Sequence, residues 1–234
     1  MNFFDTSIIE FLNGFSKSKF DAFMVFIVNN NFIKGVVVVS ILWFFWFQKS
    51  SKLIINRERI IIGIVSCLIS IVTARILTLI LPFRPRPILN TDLNFKFPYG
   101  SEAMDLGTLS SFPSDNAVMF FSLATGIFLI SKKTGILTYL YVLFVICFPR
   151  VYLGYHYPTD ILAGALVGVV IPLLISTNKI SRPIIQKTFQ FSYRYTGLFY
   201  VLLFLLTYEI SNMFIECRMA GSFLFQTFIK GFLN

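Results

Sequence analysis

Long apolar runs separated by short polar breaks set the pattern of this chain. About 20 apolar residues in a helix cross a bilayer. On that measure six spans are predicted: about Phe32–Phe47, about Ile60–Leu81, the run from just after Pro113 to about Ile130, about Ile136–Phe148, about Thr159–Ser176 and about Gly197–Ile215. Residues 5–29 are interrupted by Asp21 and Asn29–Asn31 and read as one or two amphipathic or interfacial helices, and Met219–Asn234 reads as another. No internal repeat or low-complexity segment stands out. The pattern predicts an all-α polytopic membrane helix bundle of about six transmembrane helices plus interfacial helices, with residues 1–234 forming a single domain.

Composition agrees with that pattern. The chain is 56% hydrophobic and 13% charged, with 29 Phe, far more apolar surface than a soluble core of this size needs. Met1–Phe20 lacks a basic leader and carries Asp5 and Glu10, so no cleaved signal peptide is expected. The formal net charge of +9 does not point to nucleic acid, because much of it lies in short loops between apolar runs. Lys49, Lys52, Arg57 and Arg59 separate the first two spans; Lys132 and Lys133 separate the third and fourth; Lys179, Arg182, Lys187 and Arg194 separate the fifth and sixth. Loops rich in Lys and Arg stay in the cytoplasm. The other two loops, about 82–115 and 149–158, then share the outer face with both termini. Cys67, Cys147 and Cys217 show no metal-ligand spacing, and a single histidine, His156, excludes a His-rich metal site.

The residues that carry chemistry lie at or near those two outer loops. In "ARILTLILPFRPRPIL" (Ala74–Leu89), Arg84 and Arg86 alternate with Pro85 and Pro87, which force the chain out of the helix at the membrane edge. Two guanidiniums on a stiff backbone suit phosphate oxygens, although interfacial anchoring alone also explains them. Arg75 lies inside the apolar run, roughly 9 Å below Leu81 at 1.5 Å per residue, where ionisable groups usually face the bundle interior. In "SSFPSDNAV" (Ser110–Val118), Pro113, Ser114, Asp115 and Asn116 open an apolar run. That is a helix start whose free N–H groups favour a phosphate. In "PRVYLGYHYPTDILAG" (Pro149–Gly164), Arg150 stands six residues before His156 and Asp160 four after it. Asp160 is then expected to hydrogen-bond one ring nitrogen of His156 and leave the other as a nucleophile. Gly164 and Gly168 form a small-residue face for close helix packing.

Together these segments resemble the type 2 phosphatidic acid phosphatase (PAP2) superfamily of integral membrane lipid phosphatases. Its motifs are Lys-x6-Arg-Pro, Pro-Ser-Gly-His and Ser-Arg-x5-His-x3-Asp. The third matches at Arg150, His156 and Asp160, with Pro149 where Ser is usual. The first matches at Arg86-Pro87, and the second appears as Pro113-Ser114-Asp115-Asn116, close to the "PSDH" variant of relatives resembling bacterial undecaprenyl diphosphate phosphatases. The resemblance implies a two-step phosphoryl transfer without metal or other cofactor. His156 would be the nucleophile, oriented by Asp160. Arg86, Arg150, Ser114 and the N–H groups at 114–116 would hold the phosphoryl oxygens, with Arg75, Arg84 and Asp115 alongside them. The implied partner is a phosphorylated membrane lipid such as a polyprenyl phosphate or diphosphate. The implied location is a bacterial inner membrane, with the site facing outward.

Two positions depart from the family. Leu79 stands where the first motif has Lys, and Arg75, one turn deeper on the same helix face, is the expected substitute. Asn116 stands where a histidine protonates the leaving group, and an amide cannot deliver a proton. Natural divergence and an inactivating replacement both account for it. Three functions follow: a lipid phosphatase or phosphotransferase slowed by Asn116, a catalytically silent relative that binds or translocates a phosphorylated lipid, and a structural membrane protein. The outer loop Asn90–Gly107, with Asp92, Lys96, Glu102 and Asp105, is long enough to meet a head group.

Overall fold

The computed structural model describes residues 3–93, 95–101, 110–177 and 181–224. Among them every regular element is helical. The order is α1 (Phe3–Asn13), α2 (Ser18–Asn29), α3 (Phe32–Phe47), α4 (Leu53–Ile80), α5 (Asp115–Ile130), α6 (Lys132–Tyr152), α7 (Pro158–Thr177), α8 (Ser181–Arg194), α9 (Thr196–Ser211) and α10 (Ile215–Leu224). The protein is an integral membrane helix bundle. Helices α4, α6 and α7 are each long and apolar enough to cross a membrane. The pairs α2–α3 and α9–α10, bent by 62° and 92°, each pass the same test when taken together.

The remaining expected span, α5, has only 16 residues, about 24 Å at 1.5 Å per residue against a hydrocarbon core of about 30 Å. It is the central helix and packs against α4, α6 and α7. Val118, Phe120, Leu123 and Ile127 are fully enclosed. Protein rather than lipid covers its flanks, so bilayer thickness does not set its length.

Several boundaries differ from the sequence expectation. Helix α4 begins at Leu53, seven residues before the expected start at Ile60, and its first turns keep Arg57 by seating it on α3. The guanidinium lies 5.2 Å from the Trp46 ring centroid and donates to the Trp46 carbonyl at 3.0 Å. Helix α6 runs on to Tyr152, so Pro149 and Arg150 belong to its last turns and not to an outer loop. A π-helical stretch, Val142–Cys147, precedes Pro149 and opens the helix where proline has no N–H to give. The connection read as a cytoplasmic loop folds into α8, which buries Ile185 and exposes Arg182, Lys187 and Arg194. Of the expected C-terminal interfacial helix, 215–224 is helical and 225–234 lies outside the described residues. In the long loop, residues 102–107 with Glu102 and Asp105 also lie outside them.

Two glycines set the distance between α5 and α7. A Cβ at Gly164 would fall 2.8 Å from both the Ser114 carbonyl oxygen and Ala117 Cβ, and one at Gly168 would fall 2.5 Å from the Val118 carbonyl oxygen. The backbones therefore touch, which holds the start of α5 against the start of α7. Replacing Gly168 by Ala is expected to lower stability by about 1–3 kcal/mol through overpacking. Gly221→Ala, where nothing lies within 4 Å, is expected to leave stability unchanged or slightly raised. Thermal unfolding of the two variants in detergent checks this, and equal midpoints would contradict it.

Candidate active site

The three motif segments converge at one end of the bundle, where backbone hydrogen bonds join them. The Ser114 N–H donates to the Asp160 carbonyl at 3.1 Å, the Ser111 N–H to the Arg84 carbonyl at 2.9 Å, and the Ile88 N–H to the Gly154 carbonyl at 2.9 Å. Gly154 has φ +71°, and a Cβ there would fall 2.6 Å from the Phe95 ring, so only glycine makes this turn without strain. The turn brings His156 under the Arg86 loop.

His156 is 4% exposed. Its Nδ1 lies 2.9 Å from the Ser111 carbonyl oxygen, which can only accept. Nδ1 therefore carries the proton, and Nε2 keeps its lone pair. Asp160 Oδ2 is 3.6 Å from Nδ1, so the expected hydrogen bond from Asp160 is replaced by one to a main-chain carbonyl. Asp160 acts on the ring through its charge. Burial pushes the pKa of His156 down and the Asp160 carboxylate raises it; Arg86 and Arg150 push it down again, and the balance lies below the ordinary value. The ring is neutral and nucleophilic at neutral pH.

Arg84 does not join Arg86 as a phosphate clamp. Its guanidinium donates to Asp160 Oδ1 at 2.5 Å, Thr159 Oγ1 at 2.8 Å and Asp5 Oδ2 at 2.6 Å, and lies 4.0 Å from the Tyr157 ring centroid. Asp5, fully buried in α1, also accepts from the Thr159 N–H at 3.0 Å. Arg84 is thus consumed in holding α1, its own loop and α7 together. Arg86 Nη1 donates to the Tyr155 carbonyl at 2.8 Å and lies 3.3 Å from His156 Nε2; it is the guanidinium beside the nucleophile. Leu79 is 85% exposed on the lipid-facing side. Arg75 turns inward and pairs with Asp115 at 2.6 Å, so the Asp115 carboxylate is engaged and its backbone N–H is the group left for an anion.

A cavity of about 520 Å³ adjoins these residues. Arg75, Arg86, Asp115, Asn116, Arg150 and His156 line one wall. Ser111 Oγ, Ser114 Oγ, Asn116 Oδ1 and Arg150 Nε are buried and find no hydrogen-bond partner among the described residues; the only other such atom is Ser66 Oγ. Buried polar atoms are normally paired. Two of the four, on Asn116 and Arg150, belong to residues that line the cavity, and an unpaired guanidinium N–H there suits a phosphoryl oxygen. A rotated Asn116 amide would add its Nδ2 as a donor. The Ser114 N–H, expected to face the phosphate, is taken by Asp160, which leaves the N–H groups of Asp115 and Asn116 at the start of α5.

The rest of the lining was not anticipated from sequence. Asn29, Asn31 and Lys34 reach it from the α2–α3 bend, and Met213, Ile215 and Arg218 from the α9–α10 bend. Lys34 carried a signal, as an ionisable residue within an apolar run, the same signal that singled out Arg75. A second cavity of about 210 Å³ shares Arg75, Asp115, Met213 and Arg218 with the first and continues along Ile71, Met119 and Phe214. The two cavities thus adjoin across Arg75, Asp115, Met213 and Arg218.

Comparison with known proteins gives the same picture. The family model of the PAP2 superfamily matches residues 60–180, just over half of the chain and all three motif segments. The Bacitracin transport permease protein BcrC of Bacillus licheniformis is 30% identical over 135 residues, 56% of this chain and 59% of that one, less than two thirds of its length. The Undecaprenyl-diphosphatase BcrC of Bacillus subtilis (strain 168) is 24% identical over 169 residues, 71% of this chain and 80% of that one. The crystal structure of Aquifex aeolicus LpxE superposes with a TM-score of 0.53 at 23% identity, covering 74% of this chain and 95% of that one, and shares the fold.

His156 is the chain's single histidine, so its ring resonances can be followed in the labelled, detergent-purified protein. Its lowered pKa predicts a titration midpoint below about 6.5, the ordinary histidine value. A midpoint at or above that value would contradict the buried, arginine-flanked environment.

Proposed function

The chain belongs to the PAP2 superfamily of lipid phosphatases, and from that premise we propose that it removes the terminal phosphate of a polyprenyl diphosphate or related lipid phosphate through a phosphohistidine on His156. The single observation that carries this is the geometry of the imidazole. Nδ1–H is fixed on the Ser111 carbonyl, and Nε2, with its lone pair, lies 3.3 Å from Arg86 Nη1 beside a cation-lined cavity.

In the first step Nε2 attacks phosphorus, and the bond to the departing oxygen breaks. Arg86, Arg150, Ser114 and the N–H groups of Asp115 and Asn116 hold the oxygens over which charge spreads. Water then attacks the phosphohistidine, the N–P electron pair returns to Nε2, and the water protons leave with phosphate or pass to solvent. Asp160, buried and 3.6 Å from Nδ1, stabilises the positive ring of the intermediate.

Asn116 supplies no proton to the departing oxygen. A lipid monophosphate expels an alkoxide, which needs one. A lipid diphosphate expels a phosphate monoester with a second pKa of about 6, which leaves without one. Diphosphates are therefore the favoured substrate class. The printed name of the Bacillus subtilis relative, an undecaprenyl-diphosphatase, supports the same class. Lys49, Lys52, Lys132 and Lys133 lie at the end of the bundle opposite the site, which supports an outward-facing site by the positive-inside rule. Asn116 also favours a second function, binding or translocation of a phosphorylated lipid without turnover.

Phosphate release from paired lipid mono- and diphosphates separates the two. The unaltered chain is expected to turn over the diphosphate slowly and the monophosphate hardly at all. Asn116→His is expected to raise monophosphate turnover by about 10²–10⁴-fold. His156→Ala should abolish both. If Asn116→His released no phosphate from either lipid, the phosphatase assignment would fail. Turnover by the unaltered chain that is lost in His156→Ala would exclude a silent binder.

A further inference from the structure

Two helix breaks build the cavity wall that the family motifs do not reach. Helices α2 and α3 meet at 62° across Asn30–Asn31, and α9 and α10 at 92° across Asn212–Phe214. Met213 and Phe214 both have positive φ, 56° and 57°, a conformation costing non-glycine residues of order 1–3 kcal/mol each. The two breaks press on each other: a Cβ at Gly35 would lie 2.0 Å from the Ser211 carbonyl oxygen, so α3 fits there only with glycine. The π-helical first turn of α3, Phe32–Val36, carries Lys34 into the chamber. Lys34 is 6% exposed, and no carboxylate or acceptor among the described residues engages its ammonium. Arg218 reaches the same wall from α10, with its Nε only 3.4 Å from its own Phe214 carbonyl.

The charge in the chamber exceeds what one phosphate needs. Lys34, Arg75, Arg86, Arg150 and Arg218 line it, against the single carboxylate of Asp115, already paired with Arg75. A phosphate monoester carries about −1.5 to −2 at neutral pH, which the motif-side arginines can neutralise. Lys34 then remains as a buried cation with no carboxylate on it, and the exposed Arg218 lines the same cavity; a buried charge of this kind is costly unless an anion sits beside it. A diphosphate brings a second phosphate group of that kind.

We propose that Lys34, supported by Arg218, forms a second phosphate subsite that holds the leaving phosphate of a lipid diphosphate and does by charge what Asn116 cannot do by proton transfer. This rests on the phosphatase assignment above. As Nε2 of His156 bonds to the terminal phosphorus, the bond from that phosphorus to the bridging oxygen breaks. The electron pair stays on the bridging oxygen, which departs as part of the lipid monophosphate. The Lys34 ammonium meets the developing charge there, and no proton has to move. Lys34 comes from an element outside all three family motifs, so the leaving-group position and the phosphoryl position are held by different parts of the fold.

The test compares Lys34→Met and Lys34→Arg in the full-length, detergent-purified chain carrying Asn116→His, which is expected to act on both polyprenyl diphosphate and polyprenyl monophosphate. Lys34→Met is expected to lower the diphosphate-to-monophosphate ratio of kcat/KM by about 10–100-fold, the worth of a hydrogen bond to a charged group, and Lys34→Arg to restore much of it. An unchanged ratio, or equal loss on both substrates, would overturn the second subsite. Removing an unpaired buried charge should not lower the thermal midpoint; if Lys34→Met nevertheless unfolds, Lys34→Gln and Arg218→Gln decide, and an unchanged ratio in both overturns the proposal. Failure of the underlying assignment looks different, because Asn116→His alone would then release no phosphate from either lipid.

Discussion

The Asp160 carboxylate is fully buried, and a buried charge persists only when it is paired and hydrogen-bonded. Its Oδ1 accepts from Arg84 at 2.5 Å and its Oδ2 from the Tyr157 N–H at 2.8 Å, while its main-chain carbonyl accepts from the Ser114 N–H at 3.1 Å. One residue at the start of α7 thereby fixes the Arg84–Arg86 loop, the start of α5 and the His156 turn in a single frame. Arg84 extends that frame to Asp5 in α1. His156, the Arg86 guanidinium beside it and the start of α5 all depend on this frame for their relative positions. Gly164 and Gly168 then bring α5 close enough for the Ser114 bond to form.

Around that frame the chamber is unbalanced in charge. Arg86 and Arg150 lie near a neutral histidine, and Lys34 faces them from a helix break. The site thus presents positive charge where the proposed reaction would gather charge on phosphate oxygens. On the proposed mechanism, the lack of an acid at Asn116 is least harmful for a substrate whose leaving group is stable as an anion, which ties that position to the proposed choice of substrate.

Much of this was legible in the sequence, and the exceptions have physical causes. The apolar runs located α3 to α7 and α9, because a span must bury about 20 residues of apolar helix. They missed the first turns of α4, since Arg57 is accommodated by Trp46, a contact between helices. They missed α8, whose amphipathic pattern is pronounced but whose many polar residues keep it from reading as an apolar run. The spacing of Arg150, His156 and Asp160 brought these three residues together but not the true partner of Nδ1, the Ser111 carbonyl, because any residue type supplies a carbonyl. Arg84 and Arg86 look equivalent in sequence. They diverge because Asp5, 79 residues away, claims Arg84. Lys34 was readable as an ionisable residue at the opening of an apolar run; Arg218 was not, because only the 92° bend turns it into the chamber.

The central claim is that His156 carries the phosphoryl group between two steps. The direct measurement is to quench the chain with alkali during turnover of a lipid diphosphate labelled in its terminal phosphate, and to map the label by mass spectrometry. An alkali-stable, acid-labile phosphate on the peptide containing His156 is the predicted result. Phosphate release with no label on the chain, or a label placed on another residue, would contradict it.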